Sequence, residues 1–196
     1  MSRTRQKQKS EQVRNRILDI ARRIISEEGA EALSIRRITN EMDYSAGIVY
    51  HYFKNKEQIL LCVLQEGYKK ILTALKPPSS DLSPDEALRV SFTGYMEGMM
   101  EWSGEYKALM LSSSPQILDF TSVLSEGMCA KRPALKMLAA TLEAGISQGI
   151  FAPCDTELTA QALWSAAFGL LIRLIVEKDV SPQQQTKLMQ RQIDII

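Results

Sequence analysis

SIRRITNEMDYSAGIVYHYFKNK, residues 34–56, is the stretch whose reading decides the fold. Ile35, Ile38 and Met42 recur at three and four residues, the spacing of one helical face. Ser34 stands where an N-cap is wanted, because its hydroxyl can accept a backbone N–H that the first turn leaves unpaired. Asp43-Tyr44-Ser45 then breaks the pattern. Asp tolerates the left-handed conformation in which many helices stop, and Ser45 can cap a following helix. That second helix is predicted over Ala46–Phe53, with Val49 and Phe53 four apart on one face. The small residues at its start, Ala46 and Gly47, let another surface approach closely. Two short helices with a tight turn would equally describe a plain helical hairpin.

The longer run narrows the choice. Gly29, Ser34, Ile38, Ser45, Gly47, Tyr50-His51-Tyr52-Phe53, Lys54-Asn55-Lys56 and Ile59-Leu60 together resemble the DNA-binding segment of TetR-family transcriptional regulators. Where that family commonly has Ala-Gly at the turn this chain has Met42-Asp43, and a common Ala after the helix-two Ile is Thr39 here. The resemblance implies an all-α chain. Its N-terminal helix-turn-helix DNA-binding domain would cover residues 1–56, a connecting helix 57–76, and a helical ligand-binding and dimerisation domain 77–196. It implies base contacts at Arg36, Ala46, Gly47 and Ile48. Arg36 can take a guanine through O6 and N7, and Ile48 can touch a thymine methyl. Phosphate contacts are expected from Ser34, Ser45, Tyr50, His51, Tyr52 and Lys56, whose hydroxyl, ring N–H and ammonium groups fix register without reading sequence. His51 is the single His of the chain and lacks partners at metal-ligand spacing, so neither metal nor cofactor is expected.

Composition is that of an ordinary globular chain: 45% hydrophobic and 24% charged over 196 residues. The net charge of +1 hides an asymmetry. Residues 1–56 hold 12 Lys+Arg against 7 Asp+Glu, whereas residues 57–196 hold 12 against 16. Basic charge is thus concentrated around the helix-turn-helix, the footprint expected of a nucleic-acid binder. Cys62, Cys129 and Cys154 are an odd, scattered set, which argues against a disulfide framework and fits a reducing cytoplasm. No uninterrupted apolar run of membrane-spanning length and no secretory signal are visible, so a cytoplasmic protein without a membrane partner is expected. No glycine-rich phosphate loop and no spaced set of acids or nucleophiles points to catalysis.

Along the rest of the chain, residues 1–9 (MSRTRQKQK) are predicted to be a disordered basic arm. It is either a solvated tail or a segment lying along phosphates or entering the minor groove. Ser10 can cap a first helix, whose apolar face is Val13, Ile17, Ile20, Ala21 and Ile24, and Gly29 ends it. Leu60, Val63, Leu64, Gly67, Ile71 and Leu75 continue as one long helix, a candidate lever, halted by Pro77-Pro78. Lys76–Ser83 reads as a linker. Helices are then predicted from Pro84 to about Trp102, over Glu105–Leu111, from Pro115 to about Ala130, over Leu135–Gln148, from Thr156 to about Lys178, and from Ser181 onward.

Ala162–Val176, ALWSAAFGLLIRLIV, is apolar nearly all round, so it must be covered on more than one side. One face against its own chain and another against a second copy satisfies this, with Met189, Ile193 and Ile196 on the last helix. Trp164, Leu171, Arg173, Leu174, Met189 and Ile193 are the expected dimer contacts. Arg173, alone among apolar neighbours, needs an acid across the dimer or an anionic ligand. Met and aromatic residues suit adaptable pockets. Phe92, Tyr95, Met96, Met99, Trp102, Tyr106, Phe120, Met128, Trp164 and Phe168 are therefore the candidate pocket, although each can instead be core packing. The whole describes a homodimeric regulator, in the first place a repressor, released from a palindromic double-stranded DNA operator by a small, largely apolar effector. The alternative is a DNA-binding architectural or assembly factor of the same fold that takes no small molecule.

Overall fold

A computed structural model describes residues 2–74 and 81–195, with side chains undescribed at 2–4 and 70–74. The linker predicted at Lys76–Ser83 falls largely outside these residues, as do Leu75 and Ile196. Every regular element described is a helix. In chain order these are α1 (Ser2–Glu28), a 3-10 turn (Ala30–Ala32), α2 (Ile35–Met42), α3 (Ala46–Tyr52), α4 (Lys56–Ala74), α5 (Pro84–Glu101), α6 (Ser103–Met110), α7 (Pro115–Thr121), α8 (Met128–Lys131), α9 (Pro133–Ser147), α10 (Thr156–Val176) and α11 (Pro182–Ile195).

The chain forms two compact units that do not follow chain order. The first is Met1–Lys69 with Trp102–Thr121; the second is Lys70–Glu101 with Ser122–Ile196. The core of the first joins Ile17, Leu18, Ala21, Ile24 and Ile25 of α1 to Ile38 and Met42 of α2, Val49 of α3, Phe53, and Ile59 and Val63 of α4. Each of these side chains other than Ala21 contributes about 1.5–3 kcal/mol by leaving water. A smaller cluster joins Leu64 of α4 to Leu109 and Ile117, with Trp102 and Phe120 packed on it. Gly67 makes this possible. A Cβ there would lie 2.0 Å from Trp102 Cζ2, so the indole sits directly on the bare α4 backbone. Beside it Glu105 is buried, and desolvation pushes its carboxyl above the usual carboxylate range against the opposing pull of a Trp102 side-chain hydrogen bond and of Arg22.

In the second unit α9 packs on α10, α8 and α5, and α5 also packs on α11 and α10. Pro84 opens α5 with Asp85 and Glu86 in its first turn, and Glu86 accepts hydrogen bonds from both the backbone N–H (2.9 Å) and the hydroxyl (2.7 Å) of Ser83. Leu88, Phe92, Tyr95, Met96 and Met99 are its buried face, as the spacing predicts.

Three expectations change. The N-terminal arm is not disordered: residues 2–9 continue α1, and Ser10 lies inside that helix rather than at its cap. Arg, Gln and Lys are good helix formers, and nothing in the segment interrupts a helix nucleated by the core further on. The helix expected from Pro115 to Ala130 is broken at residues 122–127. Gly127 turns left-handed (φ 77°), and the freed carbonyls find side chains from elsewhere. The Arg132 guanidinium donates to the Ser122 carbonyl (3.0 Å), and the Gln161 amide donates to that of Ser125 (3.1 Å).

α10 supplies the third. By length and composition it is apolar enough to cross a membrane, yet Ala160, Trp164, Ala167, Leu171 and Leu174 form a stripe buried within the chain. Trp164, Leu171, Leu174 and, on α11, Ile193 are therefore turned inward and unavailable to a second copy. The outward stripe is Leu158, Ala162, Ala166, Gly169 and Arg173, and Met189 is half-buried. Arg173 is exposed and ion-paired with Glu177 one turn along its own helix.

Candidate nucleic-acid interface

α2 and α3 are built as their residues demand. Ser34 is extended (φ −149°), and its hydroxyl accepts the Arg37 backbone N–H at 3.2 Å. Its own O–H is left to donate outward. Asp43 adopts the left-handed conformation (φ 54°) in the position where the resembled family commonly has glycine. The Asp43 and Tyr44 N–H groups both return to the Thr39 carbonyl, closing α2. Thr39 is buried and turns its hydroxyl onto the Arg36 carbonyl (3.0 Å), so the extra oxygen is satisfied within the helix.

α3 is anchored through Val49, with the Tyr52 ring also packed on the core. Val49 is 0% exposed, whereas Ala46, Gly47, Ile48, Tyr50 and His51 all face outward. Ser45 stands at the N-cap but its hydroxyl makes no capping bond, so it too remains available. Nothing in the chain requires Gly47: a Cβ there would meet only Ser45 Oγ, at 3.8 Å. Ile48 is an aliphatic side chain held 36% exposed at the helix start. The two tyrosines divide. Tyr50 is 56% exposed, whereas the Tyr52 ring packs on the core and meets the His51 ring edge-on at 5.0 Å. Lys56 opens α4, whose N-terminus is fixed by Asn55 accepting the Gln58 N–H (2.9 Å) while Gln58 accepts that of Lys54 (2.7 Å).

The cations sort by partner. Arg22 is held by Asp19 (2.8 Å) and Glu66 (3.1 Å), Arg23 by Glu27 and Glu41, and Arg37 by Glu28 through two bonds of 2.8 and 2.5 Å. Arg37 lowers the Glu28 carboxyl in turn. Arg14 lies over the Phe53 ring, 5.4 Å from its centroid, and near Glu66. Arg16, Arg36, Lys54 and Lys56 are exposed and pair with no acid among the described residues. Lys54 belongs with the site although only its motif, not its role, stood out in the sequence; its closeness to Lys56 was the available signal.

The candidate pocket is only partly assembled. Phe92, Tyr95 and Trp164 line a cavity of about 30 Å³ with Leu88, Ser91, Ala134, Met137, Leu138 and Thr141. The Tyr95 and Trp164 rings lie 4.6 Å apart. Met96, Met99 and Met128 are buried core that does not line it, and Phe168 is half-buried. Trp102, Tyr106 and Phe120 belong to the first unit, where Phe120 meets Tyr68 edge-on at 5.9 Å. Leu88 and Ser91 of α5 and Ala134, Met137, Leu138 and Thr141 of α9 take their places; apart from Met137 these are small, aliphatic or hydroxyl side chains outside the aromatic and methionine pattern.

Residues 17–63 match the bacterial regulatory proteins of the tetR family. An HTH-type transcriptional regulator of Staphylococcus aureus strain RF122 is 34% identical over 79 residues, 40% of this chain and 43% of that protein. The chain spans about half the length of the curated relatives it matches. The TetR family transcriptional regulator PfmR from Thermus thermophilus is 25% identical with a TM-score of 0.67, covering 91% of this chain and 95% of that one. RolR, solved in complex with its ligand resorcinol, shares the fold at 20% identity and a TM-score of 0.63, over 96% of this chain and 89% of its own. With its helix-turn-helix built residue by residue as above, the chain is similar over residues 17–63 to the tetR family of bacterial regulatory proteins.

Proposed function

We propose that this protein is a DNA-binding transcriptional regulator that acts as a homodimer on a palindromic operator, in the first place as a repressor. The observation that carries the reading is α3: Val49 buried and Tyr52 packed on the core, with an outward face opened by Ser45, Ala46, Gly47 and Ile48. Base edges are read by Arg36, Gly47 and Ile48, and phosphates are held by Ser34, Ser45, Tyr50, His51, Tyr52, Lys54 and Lys56. Two copies meet through the outward stripe of α10 together with α11, and each contributes one α3 to successive major grooves, about 34–36 Å apart on the DNA. Selection of bound DNA from a random pool tests this. A near-palindromic consensus with half-sites one helical turn or a multiple apart is the expected result; an unspaced, asymmetric consensus refutes it.

For control, the Phe92–Tyr95–Trp164 cavity favours a neutral, largely apolar effector, since no Asp, Glu, Lys, Arg or His lines it. That RolR was solved with resorcinol supports a ligand of this kind. Its release of DNA would be a population shift toward a different separation of the α3 helices. The second reading, an architectural factor that takes no ligand, is favoured by the cavity's size, about 30 Å³, room for about one water. Thermal-shift screening separates the two. Stabilisation by a neutral aromatic compound, lost in Trp164→Ala, supports the first; no stabilisation together with sequence-indifferent coating of DNA supports the second.

A further inference from the structure

Among the described side chains of α1, the first to contribute to the packed core is Val13 and the first buried one is Ile17. Residues 5–12 nevertheless continue the helix for about 12 Å at 1.5 Å per residue. At 100° per residue, Arg5, Lys9 and Arg16 fall within roughly 40° of one another around it. All three are exposed, and none pairs with an acid among the described residues. The later arginines of the same helix, Arg14, Arg22 and Arg23, are all engaged. The outer cations therefore contribute nothing to holding the chain together.

We infer that this outer face, Arg5–Lys9–Arg16, docks on the phosphate backbone of duplex DNA beside the segment read by α3, and that it does so from outside the minor groove. The inference rests on the DNA-binding reading proposed above. Charge selects the occupant. Arg5 and Arg16 are about 16 Å apart along the helix axis, and a DNA strand carries one negative charge per about 3.4 Å of axis. Width selects the mode. A helix with its side chains is about 10–12 Å across, and the minor groove of B-DNA is about 6 Å wide. An extended basic arm enters that groove; this helix does not fit. The docking adds affinity and no base readout.

The test uses the full chain and the variant Arg5→Ala/Lys9→Ala/Arg16→Ala, with Arg5→Ala/Lys9→Ala alongside to leave the core-bearing part of α1 unchanged. Affinity is measured from 50 to 200 mM salt on the selected operator and on a scrambled duplex. The slope of log K against log salt is expected to fall by about 0.9 for each phosphate no longer neutralised by a protomer. Both duplexes should weaken by the same factor, leaving their ratio intact. A polyamide filling the flanking minor groove should leave wild-type affinity unchanged. An unaltered slope in both variants overturns the inference while the DNA-binding reading stands, and so does displacement by the polyamide down to the variant's affinity. Wild-type protein that binds neither duplex removes both.

Discussion

Replacing Gly67 by alanine sets two effects of opposite sign against each other, and the structure decides between them. Inside a helix such as α4, Gly→Ala alone stabilises by about 1 kcal/mol. Here the new methyl would sit 2.0, 2.4 and 2.8 Å from three atoms of the Trp102 indole. Non-bonded carbons settle at about 3.5–4.0 Å, so the ring must move by more than about 1 Å. Trp102 is not a free surface side chain that can swing away, because it packs on the Leu64–Leu109–Ile117 cluster. Overpacking of this sort costs about 1–3 kcal/mol, and the displaced ring also gives up part of its packing. Gly67→Ala is thus expected to destabilise by about 1–2 kcal/mol net, a fall in Tm of about 2–8 °C for a chain of this size. In a Trp102→Ala background the clash is gone, and the same substitution should raise Tm. Thermal melts of the four proteins complete a double-mutant cycle. A higher Tm for Gly67→Ala in the otherwise wild-type protein refutes the packing of Trp102 on α4.

Glu105→Gln should raise Tm at pH 7–8, with the gain shrinking toward pH 4. The folded carboxyl is raised above the unfolded value of about 4.3, so the folded state binds more protons and loses stability as pH rises through that window. A wild-type protein that gains on the Gln variant with rising pH would show that Arg22 outweighs desolvation. Gly169→Glu places bulk and charge on the outward stripe of α10, at a position where a Cβ meets nothing within 4 Å. It should weaken dimerisation at least about 100-fold, about 2.7 kcal/mol, without lowering the monomer's Tm. Sedimentation velocity checks it, and an unchanged dimer excludes that face.

The helix-turn-helix was legible because its determinants are local. A Ser cap, an Asp turn and a Val49 anchor act within a few residues of themselves, and the structure places each as the spacing predicts. What escaped depends on distant partners. The break at residues 122–127 is held by Arg132 and Gln161, and no window around Ser122 shows them. Gly67 looked like one more member of an α4 stripe, because the ring that needs its bareness lies at residue 102. The rotation of α10 was hidden for a different reason: a helix apolar on every side carries no periodicity from which its inward face can be read. The helical arm reflects composition without a breaker, where a low apolar content alone suggested disorder.

The first unit's inclusion of Trp102–Thr121 has a consequence for the order in which the protein is made. A chain grows from its N-terminus at about 5–20 residues per second. The helix-turn-helix is therefore complete as a sequence well before it is complete as a fold. While residues 70–101 are being added, roughly 2–6 seconds at that pace, α4 waits with the Leu64 side of its surface uncovered. Only when α6 and α7 emerge can Trp102 settle onto Gly67 and close the unit. A nascent helix-turn-helix unit with an exposed apolar flank is a substrate for chaperones, and a gene truncated after α4 would encode a unit that is never closed.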